Sequence, residues 1–505
     1  MTDGFDHVEI RTGAYYDSVS LMQVSAQVTG VPGVRVALVA MATELNLAMA
    51  ADAGFTIGTT PGPADLLIAI RAADQPSAQD AVTATTAALE ALTARRHQAG
   101  TMGPGPLAPA HTTGAAVQRQ AADLALVSVP GRYAFAEAMD ALEHGVSVMV
   151  FSDNVPAAAE VRLKAEAASR GLLVLGPDAG TAVIGGVGLG FANVVQPGPV
   201  GIVAASGTGA QHLMCLLDEA GVGITGCLGV GGRDLSAAVG AATTLEAMTA
   251  FDADPATQLI VVVSKPADPV VAATVRAAAA TLATPVLLAL LGEGHDDLSA
   301  VAERAVEMIR GSRPSWPVWT PPGPPHASAG AGGGLRGLFV GGTLADEAMV
   351  IAAAGLGRID SNIPLRPGWA LGQASGSEML TALRRCAHWV LDLGEDRFTQ
   401  GRPHPMIDPG ARLPWLTDAL EDPGTGVVLL DLVLGHGSHP DPAGVLAPTV
   451  AGTSVPVLVS LVGTAADPQD RARQITTLTS AGAEVFLSNA AAARRAVALI
   501  EGSRS

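Results

Sequence analysis

Gly198-Pro199-Val200-Gly201-Ile202-Val203-Ala204-Ala205-Ser206-Gly207-Thr208-Gly209-Ala210-Gln211-His212-Leu213-Met214-Cys215-Leu216-Leu217 reads as a short buried strand, a small-residue turn and a helix. A helix that opens on Ser206-Gly207-Thr208-Gly209 presents unpaired backbone N–H groups, a partial positive charge and a hydroxyl. That combination is an anion site, most naturally for phosphate. A second version lies in Leu338-Phe339-Val340-Gly341-Gly342-Thr343-Leu344-Ala345-Asp346-Glu347. A third, looser one is Leu432-Val433-Leu434-Gly435-His436-Gly437-Ser438. Recurrence makes phosphate or carboxylate handling the leading expectation. The competing reading of each turn is a tight strand-to-helix connection that needs Gly for packing alone.

The bulk composition fits this pattern. A chain of 505 residues suggests about three or four domains. Hydrophobic residues make up 49% but aromatics only 3%, with 59 glycines, which is the composition of parallel sheets buried between Ala-rich helices. A net charge of −18 leaves no basic stripe to follow a nucleic-acid backbone. The pairs Arg95-Arg96, Arg384-Arg385 and Arg494-Arg495 are scattered and read as solvated helix faces. The cysteines Cys215, Cys227 and Cys386 have no CxxC spacing, so neither a zinc site nor a disulfide framework is expected, and Cys215 reads as core. The start of the chain has no basic and apolar leader pattern, and no apolar run reaches the length of a membrane span. A cytoplasmic globular protein, bound to neither membrane nor nucleic acid, is expected.

Along the chain, residues 1–99 read as a small N-terminal α/β domain, with strands at Val8 to Ile10, Val34 to Val39 and Leu66 to Ile70. Residues 100–118, rich in Gly, Pro, Ala and Thr, read as a linker. From 119 strands and helices alternate strictly, which predicts a Rossmann-like domain over 119–196 and a flavodoxin-like domain over 197–311. Residues 312–334 read as a Pro/Gly linker, and 335–505 as a third such α/β unit. The expected fold class is therefore α/β, with several doubly wound parallel sheets.

The order of motifs from Leu124 to Ile309 resembles the alpha subunit of succinyl-CoA synthetase. Val129-Pro130, Phe151-Ser152-Asp153-Asn154-Val155-Pro156 and Gly176-Pro177-Asp178 are similar in order and spacing to its CoA-binding domain. Ser206-Gly207-Thr208 resembles its phosphate-cradling turn, and Gly229-Val230-Gly231-Gly232 its next Gly-rich loop. The C-terminal unit looks like the ligase domain of the beta subunit, fused into the same chain. A closer resemblance is to the FdrA family. Asp17-Ser18-Val19-Ser20-Leu21-Met22, Gly231-Gly232-Arg233-Asp234-Leu235-Ser236, Val263-Ser264-Lys265-Pro266 and Gly401-Arg402-Pro403-His404-Pro405-Met406-Ile407-Asp408-Pro409 carry it.

The chain departs from the ligases where their chemistry lies. Those enzymes pass phosphate through a histidine in a Gly-His-Ala-Gly-Ala loop, whereas this chain has Leu291-Gly292-Glu293-Gly294-His295-Asp296-Asp297-Leu298. Asp296 and Asp297 would repel a phosphoryl group on His295. Lys265 stands where the glutamate that orients the ligase histidine is expected. His295 therefore reads as an exposed loop residue.

The FdrA resemblance implies a role in purine (allantoin) catabolism as a subunit of oxamate carbamoyltransferase. That enzyme turns oxalurate and inorganic phosphate into oxamate and carbamoyl phosphate, and it works with other protein subunits. Ser206, Gly207, Thr208, Gly209, Gly232, Arg233, Gly341, Gly342 and Thr343 are the expected substrate and phosphate ligands. Lys265, at the end of a buried strand, Arg402 and His404 are the expected catalytic residues. Arg402 would neutralise a substrate carboxylate. His404, bracketed by Pro403 and Pro405, would act as general acid or base with Asp408 as partner. The competing readings are a local Arg233–Asp234 surface pair and a rigid buried turn around His404. His436 and His439 are too few to make a metal site, and none is expected. The sequence specifies no cofactor; inorganic phosphate is the expected co-substrate, and CoA remains open for the crevice near Val129, Phe151 and Pro177. An acyl-CoA synthetase of the succinate–CoA ligase type and a non-catalytic scaffold subunit are the alternatives.

Overall fold

A computed structural model describes residues 4–502 apart from 15, 17, 59–60, 63, 100–109, 323–332, 373–375 and 400–401. The chain divides into two compact units: residues 1–111 with 399–403, and residues 112–398 with 404–505.

In the first unit the order is β1 (Phe5–Arg11), α1 (Ser18–Thr29), β2 (Val34–Met41), α2 (Glu44–Asp52), β3 (Leu66–Ala72) and α3 (Gln75–Ala99). β3 lies between β1 and β2 and runs antiparallel to both. This is a split βαβ arrangement, not a doubly wound parallel sheet. The unbroken apolar run Leu66–Ile70 takes the central place because both of its faces are covered. α2 escaped the sequence reading; its signal was Thr43, whose Oγ1 accepts from Asn46 N at 3.3 Å as an N-cap.

The second unit holds three sheets. After α4 (Thr113–Arg119), the strands β4 (Leu124–Val127), β5 (Ser147–Val150) and β6 (Val174–Leu175) alternate with α5 (Gly131–Glu143) and α6 (Ala157–Ser169). They pair in the parallel order β4-β5-β6. Part of the linker expected at 100–118 is thus the helix α4, and its residues 100–109 lie outside the described residues.

The next sheet is built from β7 (Thr181–Ile184), β8 (Val187–Gly190), β9 (Pro197–Ala205), β10 (Ile224–Gly229), β11 (Leu259–Ser264) and β12 (Val286–Leu290). Its helices are α7 (Gly207–Glu219), α8 (Ala242–Asp252), α9 (Pro269–Ala279) and α10 (Leu298–Arg310). The order is β12-β11-β9-β10-β7-β8, with β9 to β12 parallel and the β7–β8 hairpin antiparallel at one edge. This corrects the boundary expected at 196/197, because the hairpin belongs to the second sheet through the Cys227–Val183 pair. Gly185 and Gly186, both at positive φ, form its two-residue turn, a signal present in the sequence.

The last sheet contains β13 (Val318–Trp319), β14 (Gly334–Phe339), β15 (Asp360–Ser361), β16 (Trp389–Asp392), β17 (Thr425–Val433), β18 (Val457–Val462) and β19 (Glu484–Phe486). Its helices are α11 (Gly342–Leu356), α12 (Gly376–Leu383), α13 (Asp396–Thr399), α14 (Leu413–Glu421), α15 (Pro442–Val450), α16 (Arg471–Ser480) and α17 (Asn489–Gly502). The order is β13-β19-β18-β17-β14-β16-β15, parallel except for β13. β13 falls inside the span read as a linker and closes the sheet edge instead.

Strand order reverses at β9/β11 in one sheet and at β14/β17 in the other. The carboxyl ends of such strand pairs are where open α/β sheets take ligands. A buried polar seam ties the segment after β8 to the last sheet. Asn193 Nδ2 donates to Asp467 Oδ2 at 2.7 Å and to Leu434 O at 3.1 Å, and Val194 N donates to Asp467 Oδ1 at 2.7 Å. Cys215 and Cys227 are buried core residues whose thiols are pushed up by burial, Cys227 to about 12. No helix among the described residues is long and apolar enough to cross a membrane.

Candidate functional site

The first two turns singled out in the sequence come together. α7 starts at the end of β9 and α11 at the end of β14, and their first turns pack against each other. Ser206 Oγ and Thr343 Oγ1 lie 2.6 Å apart in a buried hydrogen bond. A methyl group on Gly341 would stand 2.6 Å from Thr208 Oγ1, so only glycine lets the two turns approach this closely. Ser206 also caps α7, accepting from Gly209 N at 3.0 Å. α11 has no side-chain cap of its own. Asp431, on the neighbouring β17, supports the entry to that helix by accepting from Val340 N at 2.9 Å and Gly341 N at 3.0 Å. The N–H groups of Gly207, Thr208, Gly342 and Thr343 remain in first turns that no carbonyl of their own helix can reach. Two positive helix ends therefore point at one place.

Lys265 reaches the same place from the end of β11. A methyl on Gly342 would lie 2.7 Å from Lys265 Nζ and 2.5 Å from Asp392 Oδ2. Lys265 makes no ion pair among the described residues, and Asp392 Oδ1 is held by Gly394 N at 2.9 Å. Burial raises Asp392 to about 6 against the pull of Lys265, and raises the neighbouring Asp346 to about 7. Sequence reasoning missed both carboxylates. Asp392 sits at the C-terminal end of the all-apolar strand Trp389-Val390-Leu391-Asp392, a position that should have drawn notice as Lys265 did.

His404 joins this group through Gly394. Its Nδ1 accepts from Met406 N at 3.2 Å, which leaves the proton on Nε2, and a methyl on Gly394 would be 2.6 Å from that nitrogen. Burial, then Arg412, lowers His404 to about 4, so its ring is neutral near pH 7 with an N–H on Nε2. Asp408 is not its ring partner: its carboxylate accepts from Gly410 N at 3.0 Å. Arg402 is exposed and falls in the first unit, whereas His404 falls in the second.

Arg233 stands apart from the set around Gly342. Its guanidinium donates to Glu160 Oε2 at 3.0 Å and Val155 O at 2.6 Å. Gly232 is in the turn that packs on Gly176-Pro177, where a methyl on Gly231 would meet Pro177 O at 2.4 Å. Asp234 is fully buried, pairs with Lys164 and caps α8, and so is no surface partner for Arg233. The third turn does not open a helix. Gly435 N donates to Gln469 Oε1 at 3.0 Å and His436 N to Ala192 O at 2.7 Å, which makes it a bridge to the segment after β8. His439 Nδ1 accepts from Asp441 N at 3.0 Å. His295 is exposed at the rim of a cavity of about 420 Å³ that also meets Glu347, Ile351 and Arg494.

The buried carboxyl of Asp346 carries a pH signature. Its folded pKa lies above the ordinary value, so the stability it contributes is fully present below about pH 4 and is lost as pH rises through about 7. Asp346→Asn, which bears no charge at any pH, is expected to gain stability relative to the parent between pH 5.5 and 8.5. Urea midpoints at the two pH values test this; a gap that does not change with pH contradicts it.

The fold and this site define a CoA-ligase-type α/β protein. Residues 338–499 match the CoA-ligase family, and residues 1–104 match "AllF, heavy metal-associated domain". The chain is 34% identical to the Escherichia coli (strain K12) protein named "Uncharacterized protein YahF", over 94% of this chain and 95% of that one. It belongs to the YahF family. Over 28% of its length it is 28% identical to the alpha subunit of ADP-forming succinate–CoA ligase from Methanothermobacter thermautotrophicus, covering 47% of that subunit. Among solved structures, the dinucleotide-forming acetyl-coenzyme A synthetase 1 of Ca. Korarchaeum cryptofilum is similar at 18% identity and a TM-score of 0.28, over 76% of this chain and 85% of that one. The α/β assignment itself rests on the strand orders above. The name of the N-terminal match implies a metal, but residues 1–104 contain no cysteine and so no soft thiolate donor. Among the described residues no group of three or more His, Cys, Asp or Glu is arranged to hold one.

Proposed function

We propose that the chain catalyses phosphate-dependent carbamoyl transfer, converting oxalurate and inorganic phosphate into oxamate and carbamoyl phosphate in purine breakdown. The observation that carries this reading is the 2.6 Å Ser206–Thr343 bond, which turns two helix N-termini from two sheets toward one point beside Lys265. Phosphate would lie against the N–H groups of Gly207, Thr208, Gly342 and Thr343. The Lys265 ammonium would offset the repulsion between phosphate and the substrate carboxylate, which otherwise opposes attack. The neutral His404 Nε2–H would be available to the carbamoyl oxygen as its charge grows. Holding two anions together in one geometry would supply much of the barrier reduction. The match of residues 1–104 to AllF supports a role in allantoin breakdown for this ligase fold. Other protein subunits are proposed partners.

Coenzyme A remains open for the crevice at the carboxyl ends of β4 to β6. The Asp178 carboxyl there is pushed up to about 6 by desolvation and by Asp153 and Asp396, against the pull of Lys265 and Arg233. No step is routed through that crevice. The test supplies purified chain, with and without co-purifying partners, with oxalurate and phosphate, and traps carbamoyl phosphate with ornithine and its transcarbamylase. Citrulline formation that requires phosphate is the expected result. Thioester formation from ATP, CoA and a short dicarboxylate in a parallel reaction, without citrulline, would favour the acid–thiol ligase reading that the CoA-ligase match raises. Silence in both would favour a scaffold subunit.

A further inference from the structure

Carbamoyl transfer to phosphate needs a proton moved. Hydrogen phosphate gives up a proton as its oxygen attacks the carbamoyl carbon, and the leaving oxamate nitrogen must receive one as the C–N bond breaks. Neither His404 nor Lys265 suits both halves. His404 holds its single proton on Nε2 because Nδ1 accepts from Met406 N. Lys265 would have to lose the charge that attracts both anions. Of the cradle hydroxyls, those of Ser206 and Thr343 are bonded to each other at 2.6 Å, and the alcohol of Thr208 is far too weakly basic to hold a proton near neutral pH.

Asp392 meets the requirement by position. Its Oδ1 is anchored by Gly394 N at 2.9 Å, and its backbone is pinned by Asn362, whose Oδ1 accepts from Asp392 N at 2.9 Å and whose Nδ2 donates to Asp392 O at 2.9 Å. Oδ2 is directed at the first residue of α11, next to Lys265 Nζ, and makes no hydrogen bond among the described residues. The carboxylate is thus rigid on one oxygen and available on the other, at the point where the phosphate would sit. We infer that Asp392 is the catalytic residue that takes the proton from hydrogen phosphate through Oδ2 and delivers it to the departing oxamate nitrogen. The phosphate oxygen forms the new bond to the carbamoyl carbon, the C–N electron pair goes to nitrogen, and the proton restores neutral oxamate amide. A monoanion and a dianion enter and a monoanion and a dianion leave, so Asp392 ends as it began, with no covalent enzyme intermediate. A carboxyl that burial holds near 6 can both accept and release a proton at neutral pH.

This inference rests on the carbamoyl-transfer reading, and the experiment separates the two. Parent and Asp392→Asn are compared on oxalurate and on p-nitrophenyl carbamate, whose leaving phenolate needs no proton. Asp392→Asn is expected to lower phosphate-dependent kcat with oxalurate by about 10²-fold or more and to remove the acid limb of its pH profile, while the activated carbamate, which still gives up the phosphate proton but needs none delivered, loses at least about 10-fold less. An equal loss on both substrates overturns the relay of the proton to the leaving nitrogen and leaves Asp392 a positioning residue. No phosphate-dependent turnover of either substrate by the parent, with partners present, overturns the carbamoyl-transfer reading instead.

Discussion

Lys164→Met is expected to destabilise the second unit by about 3–5 kcal/mol. Lys164 is buried, donating to Glu160 Oε1 at 2.8 Å, Asp234 Oδ1 at 2.6 Å and Val230 O at 3.0 Å. Asp234 in turn accepts from Thr244 N at 2.9 Å and Thr244 Oγ1 at 2.6 Å, and so caps α8, whose own N-cap Ala241 offers no side-chain hydrogen bond. Methionine matches the volume of the stem but leaves two carboxylates buried, with only the half-exposed Arg233 still beside Glu160. The penalty of an unpaired buried charge is much larger than the net worth of the pair. The shift in urea midpoint for this unit measures it. A change below about 1 kcal/mol would show that water reaches the network freely.

Gly342→Ala is expected to leave the fold intact and reduce activity by about 10²-fold. The φ of Gly342 is not left-handed, so alanine meets no backbone strain. The new methyl would instead press on Lys265 Nζ and Asp392 Oδ2. Both are side-chain ends that can swing aside, so the cost falls on their placement and hardly on stability. Phosphate affinity should fall along with kcat. If Gly342→Ala binds phosphate and turns over like the parent, the two groups do not converge where the ligand sits.

Most of the second unit was legible because buried parallel strands write themselves as Val/Ile/Leu runs with a turn at each carboxyl end. Leu259–Ser264 and Pro197–Ala205 are of this kind. What escaped was set by partners distant in sequence. β7 and β8 look like a continuation of the Rossmann-like domain, and only the pairing of Val183 with Cys227 assigns them to the next sheet. β13 is two residues long and owes its strand geometry to β19. The site follows the same rule. The two helix N-termini could be read from Ser206-Gly207-Thr208-Gly209 and Gly341-Gly342-Thr343, and Lys265 from its strand end. That the turns meet, 137 positions apart, belongs to tertiary structure alone. Arg233 and Asp234 misled because a Gly-Gly-Arg-Asp loop looks the same whether it serves a ligand or a buried lysine such as Lys164. Gly435-His436-Gly437 looked like a phosphate turn, but the chain runs on to Asp441 before the next helix begins.

On the proposed reading, the first turns of α7 and α11 form one phosphate site with Lys265. Calorimetric titration of inorganic phosphate into the full chain, parent against Lys265→Met and Gly342→Ala, tests it most directly. One phosphate per chain in the parent, with affinity lowered at least about tenfold in both variants and restored in part by Lys265→Arg, is the result expected. Equal phosphate affinity in all the proteins, or two independent phosphates per chain in the parent, would contradict a shared cradle.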